Sequence, residues 1–260
     1  MTTGRSHLFV VVVLLAGLIW LSPAPAAELS PEVLAWLQKG YLLDDRVPIV
    51  VQLSGPLSAR ERLDLFAKAS EIQEFPNLSM VSMTVPAREL PRWAAHRKVQ
   101  AIGTDGTVSA MAAPPFSPDQ IQSGAKEVVE QFGYDGTGVG VAVIDSGLGI
   151  AFNDFPPGAP GFAAGFANTV DIYGHGTHVM TTVLGRGTDS LTTNLNFKGV
   201  APNAQPVVVR VLDAHGIGKV SAVLSGIDWV LANRAQYNIR VVNMSLGMPA
   251  TQSYRTDPLC

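Results

Sequence analysis

The second half of the chain alternates between strand-like and helix-like patterns of hydrophobic residues. Three runs indicate strands: residues 139–144, 207–212 and 240–247. The first is apolar at every position that is not glycine, as expected for a parallel strand covered on both faces. Residues 179–184 and 221–231 carry apolar side chains at helical spacing. Strands and helices that alternate in this way predict an α/β fold with a parallel sheet.

The first half shows a different order of elements. A short amphipathic helix over residues 28–44 comes first. The pattern then predicts strand, helix, strand, helix and strand, with the ranges 47–53, 58–69, 78–85, 86–95 and 99–103. That order predicts a small α+β module of ferredoxin-like type over residues 46–107. The proline-rich stretch 111–118 follows it, and we place the domain boundary there because proline disfavours regular structure.

Residues 1–26 have the features of a secretory signal peptide. Arg5 supplies the positive start, residues 8–21 form the apolar core, and Ala24-Pro-Ala26 has the small residues of a cleavage site. The apolar core is shorter than the ~20 residues that a membrane-spanning helix needs, although an uncleaved anchor remains the alternative. We therefore predict a secreted or periplasmic protein that begins near Ala27 and has no membrane association after cleavage.

Composition narrows the classes of function. Hydrophobic residues make up 47% of the 260 residues, which is normal for a folded globular protein. The formal net charge of -3 gives no reason to expect nucleic acid or an anionic membrane as a partner. Cys260 is the only cysteine, so no disulfide can form within this sequence.

Two short motifs carry the candidate chemistry. The strand 139–144 ends in Asp145-Ser-Gly, at the strand end where α/β sheets place their sites. Further on, His175 stands between two glycines where a helical run begins. An imidazole can take a proton from a serine hydroxyl near neutral pH, and it needs a carboxylate to fix its tautomer and stabilise the imidazolium. Asp145 and His175 are therefore the candidate acid and base of a Ser-His-Asp hydrolase.

Two other aspartates are rivals for the role of the acid. Asp154 lies in the loop after the first strand, and Asp171 lies four residues before His175. The glycine-bounded loop that holds Asp171 favours a supporting role for it. His178 is interpreted as a packed helix residue rather than as a second base.

Residues 135–260 resemble the first half of the catalytic domain of the subtilisin-like serine protease family. Four segments carry the resemblance, in this order: GTGVGVAVIDSG, DIYGHGTHV, KGVAPNAQPVVVRVLDAHGIG and YNIRVVNMSLG. The resemblance implies that residues 113–260 form the N-terminal part of that domain, with a partial doubly wound parallel sheet of subtilisin type. It also implies the family order of the triad, in which Asp145 and His175 precede the serine.

The same resemblance implies a binding site for peptide or protein substrates. In the family, two segments grip an extended peptide by adding it as a strand between two exposed edges. The matching residues here are Gly216, Gly218, Ser245, Leu246 and Gly247. Glycines at such positions let a peptide backbone come close.

The module over residues 46–107 resembles the inhibitory propeptide that precedes subtilisin-like catalytic domains. The likeness rests on its size, position and element order, and on the segment VQAIGTDGTV that contains Asp105. It implies that residues 27–112 form a propeptide region that acts as an intramolecular inhibitor. An unrelated small α+β module remains the alternative.

The sequence also departs from the family. The nucleophile of the family lies in a Gly-Thr-Ser segment, and neither that segment nor the Ala-Gly-Asn segment with the oxyanion asparagine occurs here. We therefore predict a truncated form of a secreted serine endopeptidase precursor that is inactive alone. Two other classes stay open: an inactive peptide-binding protein, and a propeptide-type inhibitor or folding chaperone.

No cofactor is predicted with a defined site. Calcium is often bound in the family, and residues 194–198 form a candidate loop, but they show no ligand pattern. Metal ligands are therefore not assigned to any residue. Met180-Thr181 also differs from the Ala-Gly that is usual in the histidine helix of the family.

Overall fold

The computed structural model describes residues 27–38, 45–111, 124–150, 153–155, 158–188, 198–251 and 253–259. The predicted signal peptide, most of the proline-rich stretch, residues 194–197 of the candidate calcium loop and Cys260 lie outside these ranges. Among the described residues, none of the helices is long and apolar enough to cross a bilayer.

The N-terminal part is built on a five-stranded sheet with the order β1-β5-β2-β4-β3. Its strands are β1 (Glu28–Leu29), β2 (Arg46–Leu53), β3 (Ser70–Phe75), β4 (Met80–Pro86) and β5 (Val99–Thr104). The helices are α1 (Pro31–Gln38), α2 (Ala59–Leu65) and α3 (Leu90–Ala94). All pairs are antiparallel except β1 with β5. The core between the sheet and the helices includes Ile49, Leu90 and Trp93, each at most 1% exposed.

Strand β3 has no counterpart in the sequence prediction. Four of its six side chains are exposed, and only Phe75 at its end is buried. It therefore lacks the apolar face by which a strand is recognised. The predicted strand 78–85 is confirmed as β4, and the predicted helix 86–95 consists of a 3₁₀ turn over Ala87–Glu89 followed by α3.

The C-terminal part contains a parallel sheet with the order β11-β7-β9-β8. Its strands are β7 (Gly140–Asp145), β8 (Gly161–Ala163), β9 (Gln205–Arg210) and β11 (Ile239–Asn243). The helices are α4 (Ala125–Phe132), α5 (His175–Leu184) and α6 (Val220–Asn233). All six residues of β7 are buried, as the apolar run predicts. The prediction of an α/β fold with a parallel sheet is thus confirmed.

Two expectations for this part are wrong in detail. The run 240–247 does not form one strand, because β11 ends at Asn243 and Leu246–Gly247 pairs in a different sheet as β12. The helix expected to start at Ser221 has Lys219 as its N-cap, and its Leu231 is 39% exposed instead of buried. Both differences follow from chain contacts that local periodicity does not report.

A three-stranded antiparallel sheet, called the small sheet below, joins the two parts. It has the order β10-β6-β12, and β6 (Thr107–Ala110) follows directly from the N-terminal part. Strand β10 (Ile217–Lys219) pairs through Gly218↔Val108, and β12 pairs through Leu246↔Ala110. The central strand of this sheet thus comes from the first part of the chain, and both edge strands come from the second.

Candidate active site

The strand β7 carries Asp145 to the carboxyl end of the parallel sheet. The aspartate is 1% exposed, and one of its oxygens accepts a hydrogen bond of 2.7 Å from the backbone N–H of Ser146. The apolar residues before it hold the strand between two layers, so its carboxylate has one fixed position. An ionised carboxylate in such a place needs partners that satisfy its oxygens.

The helix α5 begins at His175 and turns the imidazole towards that carboxylate. Its Nδ1 lies 2.8 Å from Asp145 Oδ1 and 3.0 Å from Oδ2. Gly174 caps the helix with φ of 96°, a conformation that favours glycine. A carboxylate at Nδ1 fixes which ring nitrogen carries the proton, and leaves Nε2 for exchange with a substrate or nucleophile.

Glycines allow the helix and the strand end to meet this closely. A Cβ atom at Gly176 would lie 2.5 Å from the carbonyl oxygen of Gly147 and 2.8 Å from its nitrogen. The Gly176 N–H donates to the Ser146 hydroxyl at 2.8 Å. Because backbone atoms of Ser146 and Gly147 leave no room for a side chain at Gly176, glycine is required for this close approach of α5 to the end of β7.

The Asp171 carboxylate supports the loop before α5 and does not contact the imidazole. One oxygen accepts from the backbone N–H groups of Tyr173 at 3.1 Å and Gly174 at 2.8 Å. The other accepts from the Thr177 N–H at 2.8 Å and its hydroxyl at 2.6 Å. Burial raises the pKa of Asp171, but the hydrogen bonds from Thr177 and the backbone outweigh it and leave the pKa below its ordinary value.

The remaining candidates from the sequence lie elsewhere. Asp154 is 6% exposed in the segment after β7, and His178 is exposed on α5 rather than packed. Met180, the residue that departs from the family pattern, is fully buried in the core beneath the helix. In the part of the chain that the structure describes, no three His, Cys, Asp or Glu side chains are grouped as metal ligands would be.

The structure brings the five predicted substrate-binding residues together around β6. Gly218 lies opposite Val108, and Leu246 and Gly247 lie opposite Ala110 and Ser109. The Ala110 N–H donates to the Gly216 carbonyl at 2.9 Å, and the Met111 N–H donates to the Ser245 carbonyl at 3.0 Å. The cleft between these two segments is therefore filled by a strand of the same chain.

Strand β6 ends against the candidate base. The carbonyl oxygen of Met111 lies 2.8 Å from His175 Nε2. Nε2 therefore faces the main chain at the end of β6, on the side opposite to the Asp145 carboxylate. Sequence reasoning missed Met111 as a contact of the site, because the four-residue strand before it is recognisable only through its distant partners.

Comparison with known proteins shows which family this part of the chain is similar to. Residues 136–258 match the model of the Subtilase family. The matched range contains Asp145, His175 and all five residues around β6. The matched range therefore spans the parallel sheet, α5, α6 and both edge strands of the small sheet.

Characterised relatives extend the similarity into the N-terminal part. The chain is 30% identical to subtilisin E of Bacillus subtilis strain 168 over 201 residues, which are 76% of this chain and 50% of the relative. It is 29% identical over 200 residues to an alkaline protease of Alkalihalobacillus alcalophilus, again over 50% of that protein. With subtilisin DY of Bacillus licheniformis the identity is 37% over 123 residues. The chain spans about half the length of the curated relatives it matches.

Proposed function

We propose that this chain belongs to the precursor of a secreted serine endopeptidase of subtilisin type. Asp145 is the acid and His175 the base of Ser-His-Asp acyl transfer to peptide substrates. The observation that carries the proposal is the bidentate contact of the Asp145 carboxylate with His175 Nδ1, at 2.8 and 3.0 Å. In this role Nε2 takes the proton of the serine hydroxyl and later gives it to the leaving amine.

The nucleophile is the part of the triad that these 260 residues do not supply. They contain no Gly-Thr-Ser segment. The serines near the site have other partners: Ser146 accepts from Gly176 N–H, Ser221 donates to Asp105, and Ser245 accepts from Asn243. We therefore expect these 260 residues alone to be inactive, since loss of the nucleophile from such a triad costs about six orders of magnitude in turnover.

The N-terminal part has the role of an inhibitory propeptide in this proposal. Its strands β2 to β5 have the order β5-β2-β4-β3, as a ferredoxin-like module does, and β6 then fills the cleft beside His175. A strand that occupies both edges of the small sheet excludes an extended substrate from them. This occupancy also favours the second candidate function, a propeptide-type inhibitor without catalytic activity of its own.

The helix α6 supplies a second contact between the two parts. Three of its residues receive or donate hydrogen bonds across the interface at 2.7 to 2.8 Å; the pairs are Asp105–Ser221, Gln73–Ser225 and Asn77–Asp228. The Asp105 carboxylate accepts at the first turn of α6, where negative charge is favourable. The inhibitory role thus rests on two separate areas, the cleft and one face of a helix.

The catalytic proposal is tested by labelling purified chain with a fluorophosphonate probe, with casein hydrolysis measured in parallel. We expect no covalent label and no hydrolysis from these residues. A label that disappears in His175→Ala would show that a local serine acts as the nucleophile, and would contradict the inactive form. Active subtilisin E, treated in the same way, provides the positive control for the probe and for the casein assay.

Export is tested separately. Arg5, the apolar run and Ala24-Pro-Ala26 predict secreted or periplasmic material that begins near Ala27. Expression in a secreting host, followed by N-terminal sequencing, measures this directly. Exported chain that still begins with Met1 would contradict cleavage, and chain retained in the cytoplasm would contradict export.

A further inference from the structure

The helix that carries His175 receives capping hydrogen bonds from outside the helix. The N-cap residue of α5 is Gly174, which makes no side-chain cap. The first N–H groups of a helix have no partner within it, and they need one when they are buried. The buried Gly176 N–H donates to the Ser146 hydroxyl at 2.8 Å. The residue that follows His175 is therefore held by the residue that follows Asp145.

Ser146 also contacts the candidate acid. Its backbone N–H donates to Asp145 Oδ1 at 2.7 Å, and the same oxygen lies 2.8 Å from His175 Nδ1. Ser146 is 1% exposed, so solvent does not compete for either bond. One buried residue thus contacts the carboxylate through its main chain and the start of α5 through its side chain.

The Ser146 hydroxyl has a partner for its own proton as well. A hydroxyl carries one proton and can accept at two positions. The oxygen accepts from the Gly176 N–H, and the proton is shared with the Asp171 carboxylate. Asp171 in turn accepts from the N–H of Thr177, one residue further along α5. Two successive N–H groups in the first turn of α5 thus depend on Ser146 and Asp171.

We infer that Ser146 is a positioning residue that sets the distance between the Asp145 carboxylate and the His175 imidazole. The acid is fixed without the hydroxyl, because β7 is buried throughout and the Asp145 carbonyl accepts from the N–H groups of Val211 and Leu212. The start of α5, by contrast, is tied to β7 through the hydroxyl. The inference rests on the proposed function, in which this pair supplies the acid and the base.

Loss of the hydroxyl should move the base and leave the acid in place. In Ser146→Ala the backbone N–H that donates to Asp145 remains, whereas the Gly176 N–H loses its buried acceptor. A buried donor without a partner is unfavourable, so the first turn of α5 shifts to recover one, and His175 moves with it. The contact between Nδ1 and the carboxylate is then made for a smaller part of the time.

NMR of the full chain with isotopically labelled histidine tests the inference. The readout is the exchange with water of the His175 Nδ1 proton, which a carboxylate partner holds at that nitrogen. The signal is assigned by its absence in His175→Ala. We expect Ser146→Ala to speed this exchange about fivefold or more, as the loss of one buried hydrogen bond does. Ser146→Thr keeps the hydroxyl and should keep the exchange slow.

Ser225→Ala is the matched control. Ser225 is 6% exposed, and its hydroxyl also has two partners, Gln73 and the Ser221 carbonyl, but it lies on α6. Its loss should leave the exchange of the Nδ1 proton within about twofold of the original. The amides of β9 and β11 report whether each variant is folded. Ser146→Cys, whose sulfur is a weaker acceptor, replaces Ser146→Ala if the latter unfolds.

The outcomes separate this role from the proposed function. If Asp145→Ala leaves the exchange of the Nδ1 proton unchanged, the acid and base are not paired, and the proposed function itself is contradicted. Unchanged exchange in Ser146→Ala, or an equal change in Ser225→Ala, would overturn the role of Ser146 while leaving the proposed function standing.

Discussion

Replacing Asp171 by alanine should destabilise the chain more than any other single change in the loop before His175. The substitution removes an acceptor that serves the N–H groups of Tyr173, Gly174 and Thr177 and the Thr177 hydroxyl. Tyr173 and Gly174 are exposed, so water can replace the carboxylate at their N–H groups. Thr177 is 8% exposed, and its two donors would lose their partner without such compensation.

The expected loss in the free energy of unfolding follows from this difference in burial between Thr177 and the two exposed residues. A buried donor left without a partner costs about 1–3 kcal/mol, whereas a rehydrated one costs little. Two such donors on Thr177, which share one oxygen and are not additive, give an expected loss of about 2–4 kcal/mol in the free energy of unfolding. Asp171→Asn keeps one acceptor oxygen and should lose about half as much.

The pH dependence of the free energy of unfolding is a second measure of the hydrogen bonds of Asp171. The pKa of Asp171 is lower in the folded chain than its ordinary value of 3.8. Its contribution to stability is therefore complete above pH 3.8 and is lost as the pH falls through the lower, folded-state value. The difference in unfolding free energy between the original chain and Asp171→Asn should shrink over that acidic range.

Urea denaturation followed by fluorescence measures both effects. Glu130→Ala is the matched control, because its exposed carboxylate lies 3.8 Å from Lys126 on the surface of α4 and should change stability by less than about 0.5 kcal/mol. A loss below about 0.5 kcal/mol for Asp171→Ala would refute the view that this carboxylate holds the loop.

Two further changes probe close packing and the contact between the two parts. Gly140→Ala places a Cβ atom onto the carbonyl oxygen of Tyr237 and should cost about 1–3 kcal/mol in urea, whereas Gly55→Ala, with no atom within 4 Å of the new Cβ, should change little. Equal effects of the two would contradict the packing account. Asp105→Ala removes the acceptor for Ser221 N–H at 2.8 Å and should cost about 0.5–2 kcal/mol, and unchanged hydrogen exchange at the start of α6 would argue against that contact.

The sequence predicts the parallel sheet because two of its strands, β7 and β9, are apolar and buried on both faces. Strand β7 is buried at every position, as a parallel strand covered on both faces should be. By contrast, β3 exposes most of its side chains and β8 has only three residues, Gly161–Ala163, so neither carries a local signal. The hydrophobic pattern merges β12 with β11, because the sheet to which a residue belongs depends on its partner and not on its own pattern.

The candidate site likewise contains residues that the sequence predicts and residues that it does not. Asp145 and His175 are predictable because strand ends and glycine-flanked histidines leave local signatures in the sequence. The neighbours Tyr173 and Met111 are not, since their positions depend on Gly216 and on a strand that pairs far along the chain. The contacts of these two residues with the site can be identified only in the folded structure.

The pairing of the small sheet also has a consequence for the order of folding. The N-terminal sheet is complete within residues 28–104, whereas β6 must wait for partners in residues 217–247. Contacts that close longer loops cost more entropy and form later, and a chain that folds during synthesis completes its first part before those partners exist. We therefore expect the N-terminal part to be folded before β6 pairs, so that β10 and β12 are aligned on a strand that is already attached to a folded unit. A variant that weakens β6 should slow folding as well as open the cleft.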